Sequence, residues 1–232
     1  LCVSSRSRDD PHAGQAPRVP ARTEEPGLQV IQMDHSNLTA SLIFLTIYSV
    51  DRKMGFATLV PTKCIQPFAV AWVVRRLKGM EAKDIRLRTD PDASVHALAE
   101  KVKEKRSSRT VVETGAIASH QALGGAERFH LTVQEQVRVL KAELEKHLGF
   151  LLPEPEGYAA WLVRHASWLL FRFHHPRELG NSAFAAVSGR SYTGTLVVFG
   201  ETVMAGVAQD VVEARKTPKW SSRWSRGLWQ GK

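Results

Sequence analysis

The sequence predicts an α/β protein, a five-stranded mixed sheet flanked by helices and followed by a small β-rich extension. Three observations predict it. Between Leu28 and Val60 three short apolar runs are separated by polar turns, the pattern of an antiparallel meander. From Pro67 the apolar spacing becomes helical, and each of the first two helical stretches is followed by another brief strand-like run, as crossover connections require. From Gly124 to Leu148 one apolar stripe continues unbroken, long enough for a helix spanning the whole sheet.

Residues 1–27 carry Pro11, Pro17, Pro20 and Pro26 among Ser, Arg and acidic residues without apolar period, and are expected to be a linker or disordered tail. A core is expected over 28–180 and an extension over 181–232. The first strand is the run Leu28 to Met33, closed by Asp34 and a turn at His35-Ser36-Asn37. Leu42 to Tyr48 is the second; the turn Asp51-Arg52-Lys53 leads to the third, Gly55 to Val60. Pro67 suits the first turn of a helix, where its missing N–H is not needed, and Val70, Val73, Val74 and Leu77 follow at helical spacing before Gly79.

A fourth strand, Asp84 to Thr89, ends at Asp90-Pro91. The next helix buries Val95, Leu98 and Val102 while Lys101, Lys103, Lys105 and Arg106 lie mostly off that stripe. A short fifth strand is expected near Thr110-Val111-Val112. In the long helix, Phe129, Val133, Val137, Leu140, Leu144 and Leu148 form the core stripe, and Glu127 lines up instead with Gln134, Arg138 and Lys141. Tyr158 to Phe173 reads as an apolar helix stopped by His174-His175-Pro176, Ser182 to Val187 as a short helix, and Thr195 to Val207 as one or two strands.

Composition narrows the function classes. A formal net charge of +9 predicts attraction to a polyanion, nucleic acid first, although membrane-surface and heparin-binding proteins share that charge. With only Cys2 and Cys64, neither a disulfide framework nor a thiolate zinc site is available, which fits an intracellular compartment. No apolar run approaches the roughly 20 residues that span a bilayer, so a soluble protein is expected, with no membrane partner. The chain opens on Leu1 and stops at Lys232, and is expected to be a piece of something longer. Near the end, Arg215, Lys216, Lys219, Trp220, Arg223, Trp224, Arg226 and Trp229 interleave cations with indoles, a composition suited to phosphate contact and base stacking.

Three carboxylates stand out by position. Asp34 and Asp90 each close an apolar strand, where ligand-binding side chains project from a sheet edge, and Glu127 sits in the first turns of the long helix. Taken singly, each has a plain structural reading: a turn-forming or capping Asp, a solvated helix face. Brought together, they would form the hard, anionic oxygen set that Mg²⁺ or Mn²⁺ requires, and a pair of such ions clamps both sides of a phosphodiester during displacement.

Met33-Asp34, Leu87-Arg88-Thr89-Asp90 and the run Ser119 to Arg128, with Gly124-Gly125-Ala126-Glu127-Arg128 at its end, resemble the catalytic core of LTR-retrotransposon and retroviral integrases. The resemblance spans roughly 28–175, and implies a ribonuclease H-like fold. It further implies processing of element DNA ends and their transfer into target DNA by Asp34, Asp90 and Glu127 holding two Mg²⁺ or Mn²⁺ ions, by a homo-oligomer acting in the nucleus, without a small-molecule substrate. Arg128, Arg138 and Lys141 are then candidates for DNA backbone contacts, as are Lys219, Arg223 and Arg226 in the tail, which resembles the segment following such cores. The chain departs from the family pattern in having Asp90-Pro91-Asp92-Ala93 where Asp-Asn-Gly is common, and Leu123-Gly124 where Asn-Gly is common.

Two other readings stay open. A hydrolytic nuclease of the same fold would use a fourth carboxylate, for which Asp92 is the nearby candidate, and a catalytically inactive or host-recruited remnant would bind nucleic acid alone. His120 and His130 carry little weight, since a lone His in a basic protein is more often a surface group, and Ser119 and Cys64 have no basic partner for covalent catalysis.

Overall fold

The computed structural model describes residues 27–115, 123–152, 157–206 and 224–231. Three strands, β1 (Gln29–Asn37), β2 (Ile43–Ser49) and β3 (Met54–Val60), form the expected antiparallel meander. Helix α1 (Pro67–Gly79) starts at the predicted proline and crosses to β4 (Ile85–Thr89), and α2 (Ala93–Lys105) crosses to β5 (Thr110–Thr114). Both crossovers return parallel strands, β4 onto β1 and β5 onto β4, so the sheet order is β3-β2-β1-β4-β5. The long α3 (Gly124–Leu148), α4 (Ala159–Phe173) and the short α5 (Ala183–Ser188) follow.

Side-chain alternation along the strands divides the core into two layers. Ile31, Met33, Leu45 and Ile47 face α1 and α2, against Val73, Leu77, Val95 and Leu98. Phe44 and Ala57 face the other way, onto Phe129 and Val133 of α3 and Leu162 and Val163 of α4. The predicted stripe of α3 is therefore its buried face, and each of its large apolar side chains contributes about 1.5–3 kcal/mol by leaving water. Three tethers align α3 with β1 and β2: the Ala126 N–H donates to Gln32 Oε1 and Gln134 Nε2 to the Asn37 carbonyl, both on β1, and His130 meets Thr46 on β2. Beside them, Gly55 lets Phe129 lie against β3, since a Cβ there would sit 2.6 Å from the ring. Gly55→Ala is expected to destabilise by about 1–3 kcal/mol through overpacking, read as a lower urea midpoint at unchanged m-value.

One expectation needs correction. β1 does not end at Asp34 but runs on to Asn37, because β2 keeps pairing with it as far as Ile43. Of the one or two strands expected from Thr195 to Val207 one forms, β6 (Thr202–Gly206), preceded by a turn from Val198 to Glu201. β6 pairs antiparallel with β7 (Trp224–Leu228), so part of the Trp-rich tail is strand, and Phe199 anchors this region in the α3–α4 layer. Among the described residues β6 and β7 form a separate two-stranded sheet, and no helix is long and apolar enough to cross a membrane.

Candidate active site

The sheet brings Asp34 and Asp90 to one level. β1 and β4 pair in parallel up to Met33 and Thr89, and the carboxylates are the next residues, Asp34 still on β1 and Asp90 just past the end of β4. Neighbouring strands lie about 4.8 Å apart. Asp34 shares the face of Gln32, the one covered by α3, and its Oδ2 lies 3.9 Å from His130 Nδ1. Glu127, in the first turn of α3, is exposed, as is Asp90, and neither side chain makes a hydrogen bond or ion pair among the described residues.

The electrostatics tie the three together. Burial is the largest cause raising the Asp34 carboxyl from 3.8 to about 6; repulsion from Asp90 and Glu127 adds to it, while the His35 N–H and Lys63 oppose it. The His35 N–H donates to Asp34 Oδ1 at 2.7 Å. A carboxyl buried beside two further carboxylates holds charge that the protein itself leaves largely uncompensated.

His130 is the residue that sequence reasoning undervalued. It is 6% exposed, its Nε2 lies 2.6 Å from Thr46 Oγ1, and its ring sits edge-on to Phe44. Burial lowers its pKa to about 4, so it is neutral at physiological pH. At 3.9 Å its contact with Asp34 is therefore packing of a neutral ring beside a carboxyl and not an ion pair. The Thr46 hydroxyl also reaches the Asp34 carbonyl oxygen at 3.3 Å, so Thr46 links both residues. A sequence signal existed: His130 lies three residues after Glu127 and one after Phe129, on the border of the apolar stripe.

Gln32 was likewise not singled out. Its Oε1 takes one of the N–H groups that the start of α3 leaves unpaired, and a Cβ on Gly125 would meet that oxygen at 2.6 Å. Gly125 thus lets the helix start close against β1, which sets the height of Glu127 above the sheet.

The remaining predicted residues scatter. Arg128 and Arg138 are exposed on α3, Lys141 is held against Glu145 of the same helix, and Arg226 is exposed on β7. Lys219 and Arg223 lie outside the described residues, as do Ser119 and His120. Asp92 caps α2, accepting from the Ser94 N–H and hydroxyl with Lys63 at 3.6 Å, and these bonds to Ser94 hold its pKa low.

The donor set of Asp34, Asp90 and Glu127, all oxygens and together anionic, fits a hard divalent cation in charge and chemistry. Among the described residues, however, no three His, Cys, Asp or Glu side chains converge as a formed metal site.

The chain is similar in structure to integrase cores. It matches the catalytic core domain of BIV integrase with a TM-score of 0.48 at 14% identity, covering 70% of this chain and 95% of that one. It matches the HTLV-2 integrase catalytic core domain, solved in complex with magnesium in a trimeric form, with a TM-score of 0.48 at 12% identity, covering 68% of this chain and 95% of that one. No protein-family model and no curated protein matches. The fold is ribonuclease H-like on its own topology, an antiparallel β1–β3 meander extended by parallel β4 and β5 with helices on both faces.

Proposed function

We propose that the chain carries out integrase-type chemistry on DNA, trimming a 3′ end and joining it to target DNA, with Asp34, Asp90 and Glu127 holding two Mg²⁺ or Mn²⁺ ions. The observation that carries this reading is the parallel register of β1 and β4, which sets Asp34 beside Asp90 with Glu127 in the first turn of α3; burial first, and then repulsion from Asp90 and Glu127, raises the Asp34 carboxyl to about 6. Such an arrangement is unfavourable for the empty protein and favourable once cations neutralise it. Bound ions would supply charge neutralisation for the attacking and leaving oxygens of an in-line displacement at phosphorus.

The chain's own groups do the rest. The His35 N–H orients the Asp34 carboxylate and the Thr46 hydroxyl holds its backbone carbonyl, so the residue is positioned before any ligand arrives. Arg128 and Arg138, exposed on the helix that carries Glu127, would hold the DNA backbone without reading sequence. Arg226 on β7 would extend that contact. Two DNA ends require two such sites, which favours a homo-oligomer working in the nucleus when DNA is joined.

Incubating one end-labelled oligonucleotide duplex with the protein and Mg²⁺ tests this. Longer, joined products are expected beside shortened ones; shortened products alone would make the chain a hydrolytic nuclease. The capping role of Asp92 weighs against that outcome, since its Oδ1 already accepts from Ser94 and its Oδ2 faces Lys63. A second reading, nucleic-acid binding without catalysis, is favoured by the lack of three converging ligands among the described residues. It predicts binding that chelation leaves intact and no Mg²⁺-dependent product.

A further inference from the structure

A groove of about 440 Å³ opens beside the start of α3. Its walls come from distant parts of the chain: Gln32 of β1, Arg88 of β4, β2 with the β2–β3 turn, the first turns of α3, and the end of α4 with the segment that leaves it. Its rim is basic. Lys53, Arg128 and Arg177 all line it, and their side chains form no hydrogen bond or ion pair among the described residues. Glu178 is the one carboxylate among the lining residues.

The floor is different in character. Tyr48 and Phe129 lie with ring centroids 5.6 Å apart, and Phe171 lines the groove from α4. Burial raises the Tyr48 phenol, and Arg128 and Glu178, which line the same groove, act on it in opposite senses. Lys53 is held with φ of 51°, a left-handed conformation that a side chain bearing a Cβ adopts at a cost of about 1 kcal/mol. Three cations lining one groove with aromatic rings, in a volume suited to a small organic unit, match the chemistry of a nucleotide: a phosphate for the rim and a base for the floor.

We propose that this groove seats one nucleotide of an unpaired nucleic-acid strand, its phosphate among Lys53, Arg128 and Arg177 and its base against the floor of Tyr48, Phe129 and Phe171. A double helix is too wide to enter. A paired end would reach the groove only by releasing a nucleotide, and Arg128 joins the groove directly to Glu127 in sequence and on the helix. The proposal rests on the reading of the chain as one that acts on DNA.

The test is equilibrium binding of a fluorescent oligothymidylate to the full chain in EDTA over a range of salt. Lys53→Asn, which suits the left-handed backbone, and Arg177→Gln, at an exposed position, are each expected to reduce the salt slope by about 0.7, the loss of one phosphate contact on a single strand. Tripolyphosphate carrying as many charges is expected to displace the oligonucleotide at least tenfold less well. Unchanged slopes in both variants overturn the proposal, and so does equal competition by tripolyphosphate, which would mark a plain anion patch. Because no metal is present, an inactive protein that shows the slope changes keeps the groove and loses the reaction. An active protein whose slopes do not move loses the groove alone.

Discussion

Glu127→Gln and Asp34→Asn are each expected to lower Mg²⁺-dependent strand joining on the order of 10³-fold, the scale on which loss of one transition-state charge partner falls. DNA binding in EDTA should stay near normal, because the cations proposed to hold the backbone are untouched. The two variants part in stability. Asp34 is raised from 3.8 to about 6, so between those values the folded chain keeps a proton that the unfolded chain has lost. Stability from this group is therefore present at low pH and lost as pH rises through about 6, a penalty near neutrality of about 3 kcal/mol at most.

Asn has no charge to bury, so Asp34→Asn should be more stable than the parent at pH 7 and equal to it at pH 4. An activity loss accompanied by a stability gain separates a ligand from a scaffold residue. Added Mg²⁺ should raise the Tm of the parent at pH 7 and leave that of the Asn variant unmoved. A variant that loses both activity and stability would make Asp34 a structural residue, and the proposed chemistry would lose its centre.

The second large effect is acid unfolding driven by two imidazoles. Burial lowers both His130 and His165 to about 4. His165 is 4% exposed and stacks on Trp168, so water reaches neither ring in the folded state. The unfolded chain protonates these rings near 6.5, and the folded chain resists until about 4. Stability is thus complete above 6.5 and is lost as pH falls through that window, by up to about 3 kcal/mol for each ring.

Asp34 acts in the opposite sense over an overlapping range and offsets part of one imidazole. The net expectation in urea unfolding is a chain several kcal/mol weaker at pH 4.5 than at pH 7. The pairing of His130→Gln with His165→Gln should flatten the profile, and Asp34→Asn should steepen it. A parent profile already flat between pH 7 and 4.5 would mean that the rings are reached by water, and the packing of His130 against Thr46 and Phe44 would have to be abandoned.

Much of this was legible along the chain. Local spacing dictated α3 from Gly124 to Leu148, since six apolar residues at steps of three and four can meet a sheet on one side only. The proline at 67 placed the start of α1, and the apolar runs that Asp34 and Asp90 close set the two at neighbouring positions once β1 and β4 paired in parallel. The extent of β1 was misread because its last residues, His35-Ser36-Asn37, have turn composition and are kept extended by β2.

The sequence by itself determined the elements, their order and the face each buries, because periodicity and turn chemistry act over a few residues. Tertiary structure alone decided that His130 is a buried neutral ring under Asp34, that Gln32 fastens the first turn of α3, and that Lys53, Arg128 and Arg177 border one groove. Those contacts join positions dozens of residues apart, and the distance between two such side chains depends on register, helix height and burial summed over everything that packs between them.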